Sequence, residues 1–599
     1  MSINEQESIA IAEDARDKIW KSESFIKSLF MGSLRMDLIS MDMNAKRQEF
    51  VQFYKKLKEF LETEVDPAII DATGEYPQHV MEGLKRLGCF GMKIPVKYGG
   101  LGLSQIEYGH VMRLLGSYDA NITALLSAHQ SIGAPQPLIL FGTEEQKSKY
   151  LPRLAAGAIS AFALTEVAVG SDPARISTTV SRIGNGDYLL NGRKLWCTNG
   201  TIAEILIVIA KHADSGKLSA FIVESNYPGI IVEHRCRFMG LRAIGNAVIS
   251  FNNVRIPKSN LIGEEGHGLK IALTTLNAGR LSLPAAAVGA AKKCLEFTRT
   301  WANERIQWGR PIGRHEAITH KIGKMAACVF AMDAVSELSD YMAMKPGVDI
   351  RLEAAAAKEF NTVIGWNIID DTMQIRGGRG YENEASLRAR GEKPYPVERM
   401  MRDFRINLIF EGSSEIMHLF IAREAMDEHI KTINDIVKSD ATIWQKSKKL
   451  IKMMSRYSIW YLKCLFSLNI WPKYHKYGRL GCHLRFIDRS SKLLARMIFN
   501  KMIMYRYKLQ YKQAIVFRFV DIALYLYAMS AVINKSYTMR SRGVIGWHQS
   551  EQLADVFCAH AKRYIMQKFR DLSCDDNVYN MLANDVLDNK MLWVESNNV

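Results

Sequence analysis

The sequence contains few cysteines, and they lack the spacing of metal-binding or disulfide-rich proteins. Nine cysteines are scattered singly through 599 residues. Zinc sites use cysteines about two to four residues apart, and small disulfide-bonded domains hold many cysteines in a short chain. The pattern argues against both classes, predicts reduced thiols that serve in packing, and gives no candidate metal site.

The chain also lacks a recognisable targeting segment and a long uninterrupted apolar run. Its first residues, MSINEQESIAIAEDARDKIW, have neither an Arg-rich amphipathic face nor the apolar core of a signal sequence. Arg518 and Asp521 interrupt the most apolar window, residues 514–533, so we predict that it does not span a bilayer. These absences predict a cytoplasmic protein, with peripheral attachment to the inner face of a membrane as the alternative.

Acidic residues are scarce in the last part of the chain. Residues 431–599 carry 28 Lys+Arg and 12 Asp+Glu, which accounts for +16 of the net charge of +17. Such an asymmetry indicates a domain boundary near Lys431 and an acidic partner for the second part. An anionic membrane surface or an acidic protein is favoured over nucleic acid, because no nucleic-acid-binding motif accompanies the charge.

Hydrophobic residues make up 48% of the sequence, enough for several cores at this length. Helical spacing dominates except between residues 161 and 260, where short alternating runs such as ILIVIA and LSAFIVE indicate strands. We predict an N-terminal helical domain over 1–160, a small antiparallel β-barrel or sandwich over 161–260, a helical bundle over 261–430, and a basic helical domain over 431–599. The predicted fold class is mainly α with a central β-domain.

The stretch LIFEGSSEIMHLFIAREAM, residues 408–426, places one carboxylate, Glu411, ahead of a helix. Ile409 and Phe410 are expected to supply apolar surroundings that raise its carboxyl pKa towards neutrality, as a general base requires. Ser413 and Ser414 are good helix N-cap residues. On this segment alone, a capped surface helix is the alternative interpretation.

The basic domain contains one candidate membrane-surface helix. Residues 451–471, IKMMSRYSIWYLKCLFSLNIW, combine basic side chains with tryptophan and leucine. A helix buried against the body of the protein, with a solvated basic rim, explains the pattern equally well.

Several separate motifs, taken in order, resemble the acyl-CoA dehydrogenase family. They are AFALTEVAVGSD (161–172), LNGRKLWCTNG (190–200), LNAGR (276–280), ERIQWGRPIG (304–313), QIRGGRGY (374–381) and IFEGSSEI (409–416). The resemblance covers residues 45–430, and AHQSIG (128–133) with the extra helical domain makes it most similar to the very-long-chain branch. It implies a C-terminal four-helix bundle followed by an additional helical domain.

The resemblance implies FAD as cofactor and α,β-dehydrogenation of an acyl-CoA thioester to a trans-2-enoyl-CoA in fatty acid β-oxidation, with an electron-transfer flavoprotein as electron acceptor. Glu411 matches the family's catalytic base, whose backbone N–H also binds the thioester oxygen. The family positions that contact FAD correspond here to Phe162, Leu164, Thr165, Ser171, Trp196, Thr198, Arg305, Gln307, Trp308, Gln374, Gly377, Gly378, Ser413 and Glu415. Some of these reach the FAD of a neighbouring subunit, so a homo-oligomer is implied, and the extra domain favours a dimer.

The family's substrate-binding positions correspond to Ser171, Asn277, Arg280, Gly412 and Arg423. A salt bridge on a helix surface is the alternative role of Arg280. Medium-chain members have large polar residues where the acyl tail ends, whereas the matching positions here are Thr123 and Ser127. Because these residues are small and share one helical face, the resemblance implies a deeper tunnel and a long-chain acyl-CoA substrate.

Two positions and one segment depart from the family pattern. Val167 replaces a proline, Glu316 replaces a glutamine that commonly contacts the flavin, and the link over residues 381–399 is longer than usual. An acyl-CoA oxidase, a flavin monooxygenase and a flavin-containing assembly or scaffold protein remain alternatives. Glu411 argues against the monooxygenase, which needs no base for an α-proton.

Overall fold

The computed structural model describes residues 24–41, 47–437, 457–465 and 474–596. These residues form two compact units. Unit 1 contains Ser24, Met36–Met417 and Ala531–Ala554, and unit 2 contains Phe25–Arg35, His418–Ser530 and the chain from Asp555 onwards. The expected mainly helical fold with a central β-domain is confirmed.

Short helices with well-formed caps make up the first part of unit 1. Asp66 accepts a hydrogen bond from the Ala68 N–H, Ser104 and Glu107 form a reciprocal capping box, and Asp119 caps the helix that follows it. Their apolar faces meet in one buried core that includes Phe50, Phe90 and Tyr108. The helices are Gln48–Thr63, Pro67–Thr73, Gln78–Arg86, Gln105–Tyr118, Ala120–Ser127, Pro135–Phe141 and Glu144–Ala155, with a π-helical turn at Ala128–Ile132.

A single sheet of eight strands forms the central domain. The strands are β1 (Ser160–Ala163), β2 (Thr179–Arg182), β3 (Tyr188–Cys197), β4 (Ile205–His212), β5 (Leu218–Glu224), β6 (Ile230–Arg235), β7 (Ala247–Ile256) and β8 (Leu261–Ile262). Their order is β6-β7-β3-β2-β4-β5-β8, with β1 also paired to β4. Most pairs are antiparallel, as predicted, but β1 and β2 both pair with β4 in parallel, so the sheet is mixed.

Long helices return after the sheet. Ser282–Glu304, Glu316–Ala343 and Arg351–Arg376 pack against one another, and Ser414–Val437 is the fourth long helix. The remaining elements of this part are the helices Gly268–Gly279, Gly378–Tyr381, Glu384–Ala389 and Val397–Phe404 and a two-stranded ribbon of Ile306–Gln307 and Arg310–Pro311. Ser282–Glu304 also packs along Gln105–Tyr118, where the Cβ of any residue replacing Gly116 would come within 2.3 Å of the Ala286 carbonyl oxygen.

The last part of the chain is helical in its described residues, with long helices at Gly481–Tyr505, Gln513–Ser541 and Trp547–Asp571 and short ones at Asn577–Leu587 and Leu592–Glu595. By length and composition alone, Gln513–Ser541 is long and apolar enough to cross a bilayer, contrary to the prediction for residues 514–533. Its most apolar 18-residue window is 78% buried, as in the core helix of a water-soluble protein. Of the candidate membrane-surface helix at 451–471, only residues 457–465 are described, and they are helical.

All nine cysteines are free thiols. Six are buried and Cys236 is partly buried. Cys482 and Cys574 are exposed, and both belong to unit 2. Burial raises the thiol pKa of Cys89, Cys197 and Cys294 to about 12, so these sulfurs remain protonated at neutral pH.

Candidate active site

A cavity of about 850 Å³ lies within unit 1, where the first helices, the sheet and the long helices meet. A pocket of this size is large enough for an extended organic ligand. Most of the predicted site residues line it: Thr123, Ser127, Phe162, Leu164, Thr165, Ser171, Trp196, Thr198, Arg280, Glu411, Gly412 and Ser413. Residues far apart in the sequence are therefore brought to one place.

Glu411 projects its carboxylate from an unusual backbone conformation. Its φ is +53° and that of Gly412 is +98°, so two successive residues lie in the left-handed region. The turn ends where Ser413 caps the helix Ser414–Val437, accepting a hydrogen bond from the Ile416 N–H at 3.4 Å. The Glu411 Oε2 atom is buried and accepts no hydrogen bond from any described residue. It is an acceptor available to a ligand in the cavity.

Burial raises the pKa of the Glu411 carboxyl to about 7, while the cationic groups of Lys358 and Arg280 act in the opposite direction. The predicted direction of the shift is thus confirmed. Ile409 and Phe410 both line the cavity, although Ile409 is 52% exposed. Residues distant in sequence complete the surroundings of the carboxylate.

Lys358 stabilises the turn at Glu411 and Gly412, and the sequence analysis did not predict this role. Its side chain is fully buried, and its Nζ donates a hydrogen bond to the Gly412 carbonyl oxygen at 2.7 Å. Burial lowers the pKa of Lys358 to about 8, so the group is still mostly cationic at neutral pH. The available signal was a lone lysine within the small-residue run EAAAAKEF of helix Arg351–Arg376.

Arg280 is buried beside the carboxylate, so the alternative of a surface salt bridge is wrong. Its Nη1 donates a hydrogen bond to Asn277 Oδ1 at 2.7 Å, which joins two of the predicted substrate-binding residues. Burial lowers its pKa to about 10, and the guanidinium remains charged at neutral pH. The preceding Gly279 lets this helix approach its neighbour closely, because an added Cβ would lie 2.7 Å from Ile132 Cγ2.

The sheet supplies another part of the cavity wall, through Phe162 in β1, Leu164 and Thr165 just after it, and Trp196 in β3. Trp196 has a φ of +53° and a side chain that is 55% exposed. Leu195 N–H donates to the Thr165 carbonyl oxygen at 2.9 Å, which joins the two segments. The exposed indole of Trp196, on a backbone held in a strained conformation, can stack against a planar ring system.

A buried ion pair fixes this wall, and it was also missed from the sequence. Lys194 Nζ lies 2.8 Å from Glu166 Oε1 and donates to the Leu164 carbonyl oxygen at 3.0 Å. Glu166 accepts further hydrogen bonds from the N–H groups of Ser177 and Thr178 at 2.7 and 3.0 Å. These contacts, with Lys194 the largest electrostatic contributor, lower the Glu166 pKa to about 2 against the effect of burial.

These features fit the flavin ring of FAD. The wall combines aromatic and small polar side chains, and the same cavity is lined by Glu411, whose buried Oε2 lacks a hydrogen-bond partner among the described residues. Thr198 Oγ1 accepts a hydrogen bond from Asn246 Nδ2 at 3.3 Å, which holds a hydroxyl at the cavity surface. Phe162, Trp196 and Thr198 would hold the ring, and Ser171 lies further along the same wall.

Thr123 and Ser127 lie on the cavity wall as the resemblance implied, and both are buried. Their hydroxyls are already engaged: Thr123 Oγ1 donates to the Asp119 carbonyl oxygen at 2.6 Å, and Ser127 Oγ shares a hydrogen bond with Ser282 Oγ at 2.7 Å. Ala124 lines the cavity between them. These positions therefore present small and largely satisfied groups to a ligand.

The other predicted site residues do not line this cavity. Trp308 is 92% exposed on the two-stranded ribbon, and Gly377 has open space around its α-carbon at the end of helix Arg351–Arg376. Arg423 belongs to unit 2, and its role stays a prediction. The whole set outside the cavity wall is Asn277, Arg305, Gln307, Trp308, Gln374, Gly377, Gly378, Glu415 and Arg423.

Three sequence profiles match consecutive parts of the chain. Residues 47–158 match "Acyl-CoA dehydrogenase, N-terminal domain", residues 161–254 match its "middle domain", and residues 266–426 match its "C-terminal domain". Together they cover more than half of the sequence and leave the basic region outside.

Full-length relatives extend the similarity. The chain is 47% identical to "Probable acyl-CoA dehydrogenase FadE10" of Mycobacterium tuberculosis over 99% of this chain and 93% of that protein. It is 31% identical to the human "Very long-chain specific acyl-CoA dehydrogenase, mitochondrial" over 93% of this chain and 85% of that protein. A crystal structure of an acyl-CoA dehydrogenase complexed with FAD from Bacillus anthracis superposes with a TM-score of 0.75 at 27% identity, covering 93% of this chain and 94% of that one.

Proposed function

This chain belongs to the acyl-CoA dehydrogenase family of FAD-dependent enzymes, and from that premise we propose that it oxidises long-chain acyl-CoA thioesters to trans-2-enoyl-CoA and passes the electrons to an electron-transfer flavoprotein. The observation that carries the proposal is the buried, unpaired Oε2 of Glu411 in the wall of the cavity. A carboxylate with a pKa of about 7 is matched to removing a proton near neutral pH.

Three residues of the chain would act at the reacting centre. Glu411 would accept the α-proton of the thioester, and its backbone N–H would donate a hydrogen bond to the thioester oxygen as negative charge develops there. Lys358 holds the turn through the Gly412 carbonyl, and Arg280 keeps a positive charge beside the reacting centre. Bound FAD supplies the acceptor for the hydride from the β-carbon. The apolar walls exclude water, which strengthens these electrostatic interactions.

Specificity for long chains rests on the size of the cavity and the small side chains along it. Thr123, Ala124 and Ser127 leave the cavity open where a bulky residue would close it. The similarity to a relative named very long-chain specific supports the same substrate class.

The test is an anaerobic titration of the purified, flavin-loaded protein with acyl-CoAs from about C4 to C20, monitored by bleaching of the flavin absorbance. We expect bleaching and turnover to be greatest at about C14–C18, because transfer of each methylene to an apolar wall contributes about 0.8 kcal/mol. A maximum at C4–C8 would contradict long-chain specificity. Glu411→Gln is the control, since it should retain flavin and lose bleaching.

The electron acceptor is tested separately. With a saturating acyl-CoA, turnover should require an added electron-transfer flavoprotein and should consume oxygen only slowly. Rapid oxygen consumption without any added acceptor would instead assign the protein as an acyl-CoA oxidase.

We also propose a homodimer. Ile306 and Trp308 project from the ribbon of unit 1 and are 59% and 92% exposed. Exposed apolar side chains on a short ribbon are typical of an interface. The resemblance assigns the same loop to the FAD of a neighbouring subunit, so one contact would serve both assembly and cofactor binding.

Finally, we propose a cytoplasmic location with peripheral attachment to an anionic membrane through the basic domain. Its net charge of +16 supports this, although most of the candidate segment 451–471 lies outside the described residues. The test is co-sedimentation with vesicles of phosphatidylglycerol and phosphatidylcholine. We expect binding at low salt and release at high salt, and no binding at low salt would refute the proposal.

A further inference from the structure

The cavity follows one face of the helix Ser282–Glu304. Its lining residues on this helix are Leu283, Ala286, Ala287, Ala290, Lys293 and Phe297, which recur at helical spacing. Leu283 follows Arg280 by one turn and so marks the end near Glu411. From Leu283 to Phe297 the helix rises about 21 Å. This distance measures how far the cavity extends from the reacting centre.

Side-chain size changes along this face. Three alanines line the middle, and Gly116, Ala120 and Ala124 line the cavity from neighbouring helices. The larger Phe297 stands at the far end, where Pro396 and Met400 also line the cavity. Small residues therefore line the cavity over most of its length, and bulky residues close its far end.

Phe297 is held in place by the segment 383–396, which belongs to the long link between two helices of unit 1. The rings of Phe297 and Tyr395 lie 4.6 Å apart between centroids. Together with Val397 they form a separate buried cluster, against which Met400 and Met373 pack. We call Phe297, Pro396 and Met400, backed by Tyr395, the end wall.

Ion pairs fix the link ahead of the end wall. Arg379 Nη2 donates to Glu392 Oε1 at 2.8 Å, and Arg390 Nη2 donates to Glu382 Oε2 at 2.6 Å. The link carries its own short helix, Glu384–Ala389, whose Leu387 is fully buried. A segment with its own cap, core residue and ion pairs is an ordered support for the end wall.

The charged residues at this end of the cavity are engaged within the protein. Asp403 accepts a hydrogen bond from the Leu241 N–H at 2.6 Å, Arg399 pairs with Glu384 at 3.2 Å, and Lys293 pairs with Glu296 at 3.0 Å. Asp119 Oδ1 accepts from the Ile122 N–H at 2.7 Å, whereas its buried Oδ2 accepts no hydrogen bond from the described residues. At the far end itself a ligand's tail would meet the apolar surfaces of Phe297 and Met400.

We propose that the end wall, held by the link 383–396, sets the longest acyl chain that this enzyme accepts. The inference rests on the proposed function, because it assigns this end of the cavity to the acyl tail. An extended alkyl chain advances about 1.25 Å per methylene, from single bonds near 1.5 Å and angles near 111°. The length of about 21 Å along the helix then accommodates about 17 methylenes. Acyl chains of C16–C18 fill the cavity, and longer chains meet the end wall.

The test compares Met400→Trp with Met401→Trp. Both residues lie on the helix Val397–Phe404 and are half-buried, but only Met400 lines the cavity. We expect Met400→Trp to lower kcat/KM for C18 acyl-CoA about tenfold or more, because a filled pocket rejects surplus methylenes, and to leave C10 within about twofold. Met401→Trp should keep the wild-type profile. Flavin content and melting temperature identify any variant that fails to fold.

Phe297→Ala is the opposite change. Removing the ring should extend the profile, raising kcat/KM for C22 relative to C16 about fivefold or more. If acyl-CoAs are turned over but the profile is unchanged in Met400→Trp and Phe297→Ala, the end wall is refuted while the proposed function stands. An equal shift in Met401→Trp would also refute it. If no acyl-CoA of any length bleaches the flavin of the wild-type protein, the proposed function fails and the inference fails with it.

Discussion

At the scale of single residues, Glu411 combines strain with burial. Two successive positive φ angles are costly for a chain, and such conformations persist where the surroundings hold them. Here Ser413 caps the helix on one side and Lys358 binds the Gly412 carbonyl on the other. Gly412 cannot easily be replaced, because residues other than glycine rarely adopt its φ of +98°. The carboxylate is thereby positioned before any ligand arrives.

The raised pKa of Glu411 predicts a pH-dependent loss of stability. The native carboxyl keeps its proton up to about pH 7, whereas the unfolded group releases it near its ordinary value of 4.5. The stabilisation is therefore complete below pH 4.5 and is lost as pH rises through about 7. Glu411→Gln lacks this dependence, so its stability relative to wild type should rise by up to about 1.4 kcal/mol per pH unit in that window.

Calorimetry of the flavin-loaded wild-type and Glu411→Gln proteins at a series of pH values measures this difference. Asp403 and Asp340 also have carboxyl pKa values raised to about 7 by burial, but both proteins share them and they cancel in the comparison. A constant difference across the window would show that the carboxylate is not buried in solution.

Replacing Lys358 by Met should impair catalysis without removing a group that touches the substrate. The Gly412 carbonyl loses its hydrogen bond, and the Glu411 pKa loses a neighbouring positive charge that lowers it. We expect kcat to fall about tenfold to a hundredfold and the pH profile of kcat/KM to move to higher pH. Lys358→Arg should restore part of the shift in pH. An unchanged profile in Lys358→Met would contradict the positioning role.

Local sequence predicted what Glu411 is but only part of what surrounds it. The carboxylate, the turn glycine and the cap follow one another in the chain, so their pattern is visible. Ile409 and Phe410 line the cavity beside Glu411 as expected, whereas Lys358 and Arg280 come from other parts of the chain. Electrostatic surroundings are set by tertiary contacts, which a short segment does not encode.

At the scale of elements, the flavin-facing wall depends on a buried ion pair. The side chains of Glu166 and Lys194 are 3% and 0% exposed, and between them they hold β3 against the segment after β1. Period-2 alternation predicted these strands because it reports which face is buried. It does not report direction, which is why the parallel pairing of β1 and β2 with β4 was not foreseen.

Lys194→Met should destabilise the protein by about 3–5 kcal/mol, because it leaves the Glu166 carboxylate buried without its partner. Adding Glu166→Gln should recover part of the loss, since the uncompensated charge is then removed. Thermal unfolding and flavin retention of the loaded proteins measure both effects. Arg193→Met is the matched control: its partner Glu233 is on the surface, so its effect should stay below about 1 kcal/mol. If Lys194→Met and Arg193→Met lowered the free energy of unfolding equally, burial of the Glu166–Lys194 pair would not explain the loss.

At the scale of the whole molecule, the boundary of the basic region differs from the boundaries of the two compact units. The basic region begins near residue 431, yet Ala531–Ala554 belongs to unit 1. Within that unit Lys535 pairs with Asp333 and Glu337 at 2.8 and 3.0 Å, and Asn534 Nδ2 donates to the Ile39 carbonyl at 2.8 Å. Composition shows where the charge balance changes, but not which segment returns to an earlier core.

The exposed ribbon predicts that Trp308→Ala weakens the proposed dimer. We expect the dimer dissociation constant to rise about tenfold or more, as for an aromatic residue central to an interface, and flavin to be lost more readily. Light scattering over a range of protein concentrations measures the first effect and absorbance the second. Trp593→Ala, at a tryptophan of unit 2 that is 72% exposed, is the control. A dimer that is unaffected by Trp308→Ala would place the interface elsewhere.

The distribution of the cysteines makes the two units chemically distinguishable. Because Cys482 and Cys574 are the exposed thiols and both lie in unit 2, a maleimide fluorophore should attach there first, at a stoichiometry of two per chain. Cys236, in unit 1, is partly buried and its raised pKa slows the reaction. Replacing Cys574 by serine would leave a single dye at Cys482, a reporter on the basic region that leaves the unit carrying Glu411 unmodified.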